Sequence, residues 1–157
     1  MRRTVVTFGA IALSAIVLAS CKPTPSKQEE ELGKMNTNPV SYFEIPVSDM
    51  DRAIEFYEVV FSVSLERTTI DGNEMALFPF DEGGGGISGA LAKGDSYVPS
   101  ASGPRIYFSV EDIDKTLSQA VEMGGEIAYP KTSVDNFWVA EFKDSEGNQI
   151  ALSSPNE

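Results

Sequence analysis

The sequence predicts an α+β fold in which one βαβββ unit occurs twice. A β-rich run leads into an amphipathic helix near Asp49, and the same order returns near Asp112. Each helical pattern is followed by three short runs of strand composition, which are separated by turns rich in glycine, asparagine and aspartate. Because the whole order repeats, the assignment of each element supports that of its counterpart.

The first unit begins with an extended run over residues 41–47. A helix follows, with the i, i+3, i+4, i+7 spacing of one buried face at Met50, Ala53, Ile54 and Tyr57. Ser48 and Asp51 have the spacing of a capping box at its start. Three predicted strands complete the unit, over residues 64–70, 74–79 and 87–92.

The second unit repeats this order from an extended run over residues 105–110. Its helix opens around Asp112, and its apolar face consists of Ile113, Leu117, Ala120 and Val121. Gly124 and Gly125 end the helix, since glycine readily adopts the left-handed conformation that follows a helix. The three predicted strands cover residues 126–129, 137–142 and 149–153.

The first 20 residues have the pattern of an export signal and are set apart from the fold. Arg2 and Arg3 precede an apolar run over residues 4–18, and two small residues then lead directly to Cys21. This pattern resembles the lipobox of bacterial lipoproteins, which implies cleavage before Cys21 and acylation of its sulfur. The alternative is an uncleaved transmembrane helix, but the run is shorter than the roughly 20 apolar residues that a span needs.

The predicted organisation has three parts: a lipoprotein signal peptide over residues 1–20, a lipidated tether over 21–38, and one folded domain over 39–155. The tether is polar and has prolines but no apolar period, as linkers do. Several acyl chains anchor a protein stably to a bilayer. Lys22 stands where many inner-membrane lipoproteins of Gram-negative cells have aspartate. The signal therefore predicts the outer membrane, facing the periplasm, in a Gram-negative host, and the outer face of the cell membrane otherwise.

The composition argues against several classes of partner and site. The chain has 24 acidic and 12 basic residues and a formal net charge of −12. This balance argues against nucleic acid and against docking on anionic lipid, since both favour lysine and arginine. Cys21 is the only cysteine, so the domain has no internal disulfide and depends on its apolar core. The chain contains no histidine, which limits the metal sites that it can form.

Several motifs, in this order, resemble those of the vicinal oxygen chelate superfamily, which includes glyoxalase I, extradiol dioxygenases and bleomycin-resistance proteins. The matching segments are 47–53, 56–57, 110–114 and the Asp-x-Glu-Gly-Asn of 144–148. The small glyoxalase-related members are the most similar, through a Phe-Glu-Ile-Pro first strand and a late Pro-Lys-Thr-Ser turn at 130–133. The resemblance implies an eight-stranded curved half-barrel with the helices outside and a concave cleft within.

The resemblance also implies where a divalent metal would bind, because active members use histidine or glutamate on the first and last strands of each unit. These positions fall on Tyr42, Arg105 and Ala151, and on Gly89 or Ala90 in the first unit. Alanine has no donor atom, an arginine cation repels a metal ion, and a neutral tyrosine is a poor ligand. A catalytic metal needs about three protein ligands. We therefore expect this scaffold without its metal and without another cofactor.

Strand alternation indicates which side chains line the cleft. Tyr42 shares one face with Glu44, and Arg105 shares another with Tyr107. Together with Ser153, these residues predict a pocket for a small polar or aromatic ligand, with Arg105 pairing an anionic group. The alternative is a buried ion pair between Glu44 and Arg105 that serves only the fold.

The leading hypothesis is a membrane-anchored domain that binds a small molecule, as bleomycin-resistance proteins do, without a metal. The first alternative is a lyase or dioxygenase-like enzyme with an unconventional site, in which Glu44 is the candidate general base. The second is an envelope interaction module without a ligand. The resemblance also allows a homodimer, and the glycine run 83–86 is expected as a mobile loop at the rim of the cleft.

Overall fold

The computed structural model describes residues 38–81 and 86–156. Val40–Glu157 is a compact unit of its own. Its elements are β1 (Tyr42–Pro46), α1 (Met50–Phe61), β2 (Glu66–Ile70), β3 (Asn73–Leu77), β4 (Ser88–Lys93), β5 (Tyr107–Ser109), α2 (Ile113–Glu122), β6 (Glu126–Val134), β7 (Phe137–Lys143) and β8 (Gln149–Pro155).

Several predictions concern residues outside this description. The signal peptide, Cys21 and nearly all of the tether are among them, as are three of the four glycines of the run 83–86. Within the ranges that are described, no helix has the length and apolar character needed to cross a membrane.

The eight strands form two four-stranded sheets of identical topology. The order is β1-β4-β3-β2 in the first sheet and β5-β8-β7-β6 in the second. In each sheet the first and last strands of the unit are parallel, and the other neighbours are antiparallel. The predicted α+β fold of two βαβββ units is therefore confirmed.

One hydrophobic core joins both sheets and both helices. Helix α1 buries Met50, Ala53 and Tyr57 of the predicted face and leaves Ile54 partly buried. It also buries Phe56, whose ring centroid lies 5.9 Å from that of Phe142 in the second sheet. Phe61 stacks on Phe108 of β5 at 4.4 Å. Every buried residue of the described structure lies between Ile45 and Leu152. A chain of residues 24–157 therefore contains the complete described core.

The predicted capping box at Ser48 is wrong by one residue. Asp49 is the N-cap of α1, and its carboxylate accepts a hydrogen bond from the backbone N–H of Arg52 at 3.1 Å. The Ser48 hydroxyl instead donates to Oε2 of Glu146 at 2.6 Å. Helix α2 begins as expected, with Asp112 as its N-cap.

The predicted turn at 130–133 is also wrong, because β6 continues through it. Thr132 and Ser133 still pair with Val139 and Trp138 of β7. The register shifts twice between Ile127 and Thr132. An edge strand tolerates a proline and such irregularities because one side of it makes no ladder hydrogen bonds.

The Asp-x-Glu-Gly-Asn turn between β7 and β8 fixes the start of α1 in the other unit. The Glu146 side chain has no exposed surface. Its carboxylate accepts from the backbone N–H groups of Ser48 and Asp49, at 2.8 and 3.0 Å. It also accepts from Nε and Nη2 of Arg52, at 2.8 and 3.0 Å. A carboxylate at a helix N-terminus is further stabilised by the helix dipole.

Asp144, in the same turn, is buried and connects to the core. It accepts from the Tyr57 hydroxyl at 2.8 Å and from the side-chain amide of Asn148 at 2.9 Å. Burial raises the pKa of Asp144, although these hydrogen bonds oppose the change. Burial also raises the pKa of Tyr57, and Asp144 adds to that increase. Asn148 in turn donates to the carbonyl of Pro46 at 2.8 Å.

We expect Glu146→Gln to lower the free energy of unfolding by about 2–4 kcal/mol at pH 7, because an amide nitrogen would face the donors that now bind a carboxylate. Burial alone would raise the pKa of Glu146, but hydrogen bonds from Arg52, Ser48 and Asp49 outweigh it and lower the pKa to about 2. The stability that the Glu146 carboxylate contributes is therefore complete above pH 4.5, the ordinary pKa of glutamate, and is lost as the pH falls toward 2. Urea denaturation followed by Trp138 fluorescence would measure both effects.

The matched control for this variant is Glu126→Gln. Glu126 pairs with Lys143, but 72% of its side-chain surface is exposed, so its loss should cost less than about 0.5 kcal/mol. Equal costs for the two variants would contradict the role assigned to Glu146.

Candidate ligand-binding site

The face of the first sheet that points away from the helices contains Tyr42 and Glu44. The residues between and after them, Phe43 and Ile45, point into the core. Glu44 is exposed and accepts a hydrogen bond from the Tyr97 hydroxyl at 2.8 Å. We call this face of each sheet the cleft face.

The charge of Glu44 affects the pKa of two neighbouring phenols, Tyr42 and Tyr97. Partial burial raises the pKa of Tyr42, and the Glu44 charge adds to the increase. For Tyr97, the hydrogen bond to Glu44 is the main reason that the pKa is raised. Glu44, the candidate general base of the enzyme hypothesis, is exposed.

The last-strand position of the first unit falls on Ala90 and not on Gly89. Ala90 pairs with Glu44, is fully buried, and packs in a small cluster under Tyr97. Gly89 faces the core, where an added Cβ would overlap the ring of Phe43. In the second unit, Ala151 occupies the equivalent place and pairs with Tyr107.

These residues do not fit a divalent metal. The two last-strand positions are alanines without donor atoms, and a phenol and a guanidinium stand at the first-strand positions. Over residues 38–81 and 86–156, no three side chains of His, Cys, Asp or Glu are grouped so that they could hold a metal ion.

Arg105 is bound to its own surroundings and does not reach Glu44. Its Nε donates to Oε2 of Glu141 at 3.0 Å, and its Nη1 donates to the carbonyls of Ala101 and Gly103 at 3.3 and 3.0 Å. The predicted Glu44–Arg105 ion pair is therefore wrong. The reason is that Arg105 precedes β5, in the crossover loop (residues 94–106) that joins the two units.

Glu141 is a residue of the cleft face that the sequence hypotheses did not assign to the site. It pairs with Ala151 across β7 and β8, and it also accepts a hydrogen bond from Gln149. Trp138, on the opposite face of β7, packs against the core.

Two pockets separate the predicted site residues. Tyr107 and Ser153 line a pocket of about 500 Å³ on the second sheet, together with Phe137 and Val139. Glu44 lines another of about 270 Å³ between β1, the crossover loop and the start of β8. Tyr42 lies on the same face as Glu44 but is not part of this wall. The structure therefore does not bring the five residues into one pocket.

The crossover loop forms one wall of the smaller pocket and was missed from the sequence. Val98, Ser100 and Pro104 line it, opposite Ile150 of β8. The backbone N–H of Ser100 donates to Oδ1 of Asn148 at 2.9 Å, which fixes the loop to the Asp144–Asn148 turn. The loop has no periodic pattern, so nothing in the sequence indicated its position.

Comparison with known families agrees with this fold. The sequence profile of the glyoxalase/bleomycin resistance protein/dioxygenase superfamily matches residues 40–152. The chain therefore belongs to this superfamily. No curated protein sequence shows a significant match to the chain.

Solved structures show the same fold at low sequence identity. TnmS3, an antibiotic binding protein from Streptomyces sp. CB03234, is 24% identical with a TM-score of 0.60, covering 77% of this chain and 98% of TnmS3. A glyoxalase family protein from Bacillus cereus is 21% identical with a TM-score of 0.60, covering 79% of this chain and 99% of that one. A glyoxylase/bleomycin resistance protein/dioxygenase domain from Frankia sp. EAN1pec is 20% identical with a TM-score of 0.60, covering 78% of this chain and 95% of that one.

We expect Arg105→Gln to lower the free energy of unfolding by about 1–2 kcal/mol, because it breaks a partly buried ion pair and releases two loop carbonyls. The side chains of Arg105 and Glu141 are 33% and 21% exposed. The control is Arg67→Gln. Arg67 pairs with Asp51, and the side chains of Arg67 and Asp51 are 52% and 85% exposed, so losing this pair should cost less than about 0.5 kcal/mol. Denaturant unfolding of both variants would measure the difference, and equal losses would contradict a structural role for Arg105.

Proposed function

We propose that this protein is an envelope-anchored lipoprotein whose glyoxalase-like domain binds a small organic molecule in its cleft without a divalent metal. The observation that supports this best is the set of side chains on the cleft face. Residues that could hold a metal are replaced by alanine at Ala90 and Ala151, whereas concave, largely apolar pockets remain beside them.

Binding without a metal fits the chemistry of these positions. Metal-dependent members of the superfamily need ligands that donate electron pairs, and neither alanine nor an arginine cation does so. Of the first-strand residues, Glu44 alone is a strong oxygen donor. TnmS3, one of the solved structures with this fold, is an antibiotic binding protein. Binding of a small molecule requires a pocket but no reactive centre.

Membrane anchoring is the second part of the proposal and rests on the N-terminal pattern. Arg2 and Arg3, the apolar run over 4–18 and the small residues before Cys21 support export and acylation. With Lys22 after the cysteine, we propose the outer membrane, facing the periplasm, in a Gram-negative host. The homodimer stays a prediction.

We expect residues 24–157 to bind far less than one metal ion per chain. The protein would be incubated with nickel, zinc, manganese, iron and magnesium salts, desalted, and subjected to elemental analysis. A stoichiometric metal would overturn the metal-free proposal and favour the enzyme hypothesis, with Glu44 the first residue to replace. The same preparation would then be tested by thermal shift against small charged and aromatic molecules, because a ligand of the native state raises Tm. No stabilisation by any molecule would favour the interaction module.

We expect Cys21→Ala to abolish incorporation of a radiolabelled fatty acid when the full chain is expressed in a bacterium, because Cys21 is its only cysteine. Ser20→Ala is the matched control, since it keeps a small residue before the cysteine and should leave labelling intact. Label retained in the Cys21→Ala chain would contradict the lipoprotein proposal.

A further inference from the structure

The charge of the smaller pocket distinguishes between classes of ligand. Of the described residues that line it, Glu44 alone is ionisable. The walls are otherwise mainly apolar, with Ile45, Val98, Pro104 and Ile106 among them. A volume of about 270 Å³ is just below the usual range of roughly 300–1,000 Å³ for ligand pockets, so the ligand is small.

The polar neighbours of Glu44 are already engaged elsewhere. Asn148 donates to Pro46 and Asp144 and accepts from Ser100. Gln149 donates to Glu141, which also holds Arg105. Neither Asn148 nor Gln149 neutralises Glu44, because neither side chain carries a positive charge.

The Glu44 carboxylate can accept further hydrogen bonds from a ligand. It accepts the Tyr97 hydroxyl on Oε2, whereas an ionised carboxylate offers about four acceptor sites. Glu44 takes part in none of the ion pairs found among the described residues. The pocket wall thus presents one negative charge without a countercharge.

Two aromatic residues, Tyr97 and Tyr42, lie beside this charge, although neither is among the residues that line the pocket. The Tyr97 ring packs over Ala90 and Ala92, next to the strand that holds Glu44. Tyr42 is close enough for the Glu44 charge to affect its phenol. Aromatic faces beside a carboxylate attract ammonium groups through their ring quadrupoles, and alkylated ammonium groups in particular.

We propose that this pocket binds a small organic cation, with its ammonium group at Glu44 near Tyr42 and Tyr97 and its apolar part against Val98 and Pro104. The inference rests on the small-molecule binding proposed above and specifies the class of ligand. An ammonium group can come from a free cation or from a lipid headgroup. The pocket favours the free cation, because its described wall has no cationic residue to pair with a headgroup phosphate.

The test is a nuclear magnetic resonance titration of isotope-labelled residues 24–157. The probes are choline, the neutral isostere of choline in which carbon replaces nitrogen, phosphocholine, and benzoate. Choline should shift the amide signals of Glu44, Val98 and Ser100, and its affinity should fall as salt is raised. Glu44→Gln should weaken choline binding about tenfold. Glu44→Asp, which keeps the charge, should retain part of the affinity.

The control variant is Glu66→Gln. Glu66 lies on the same cleft face in register with Glu44, through Ala90 and Leu77. It is exposed, lies outside the pocket wall, and stands three strands away, roughly 14 Å at about 4.8 Å per strand. Removing its charge should change choline affinity less than twofold, so equal effects of the two variants would overturn a specific role for Glu44.

The remaining outcomes separate this inference from the proposed function. If the neutral isostere or benzoate binds the pocket as tightly as choline, the cation inference is overturned and small-molecule binding stands. If phosphocholine binds as tightly as choline, the ammonium site is supported and a lipid headgroup becomes its source. If no probe shifts the pocket signals, the inference is overturned, and the thermal-shift screen decides separately on small-molecule binding.

Discussion

The carboxylate of Glu146 at the start of α1 is the contact on which the arrangement of the two units depends. It comes from the second unit and satisfies backbone N–H groups of the first, where a helix leaves its donors without intrahelical partners. Its neighbours in the turn extend the same connection. Asp144 reaches the buried Tyr57, and Asn148 holds both the end of β1 and the crossover loop. The pocket beside Glu44 exists because these contacts hold β1, the loop and β8 together.

The cleft faces show how the scaffold keeps its shape with alanine at the two last-strand positions. Alanine at Ala90 and Ala151 removes donor atoms without disturbing the strand pairing, since alanine adds no volume that the sheet must accommodate. Tyr97 covers the first of these alanines and hydrogen-bonds to Glu44. What remains in the first unit is a carboxylate with two phenols, and in the second a wholly different pocket lined by Tyr107 and Phe137.

Much of the fold followed from local patterns in the sequence. The helix face at Met50, Ala53 and Tyr57 was correct because helical periodicity reports burial directly. Strand segments were also found, but their ends were not. The sequence 130–133 has turn composition, yet it lies within β6, because pairing with β7 outweighs local preference at an edge strand. The N-cap is Asp49 and not Ser48, whose hydroxyl bonds Glu146, a residue almost one hundred positions away in the chain.

The sequence by itself determined the repeated βαβββ order, the superfamily, and which donor atoms are missing from the metal positions, since these depend on residue type and spacing along the chain. Only the tertiary structure decided the partners of the charged groups. Arg105 pairs with Glu141, and Glu44 bonds Tyr97. Glu44 lines one pocket and Tyr107 and Ser153 line another, whereas Tyr42 and Arg105 line neither. The physical reason is that alternation fixes the face of a strand on which a side chain lies. The distance across a cleft depends on how loops without any period, here residues 94–106, are held by contacts remote in sequence.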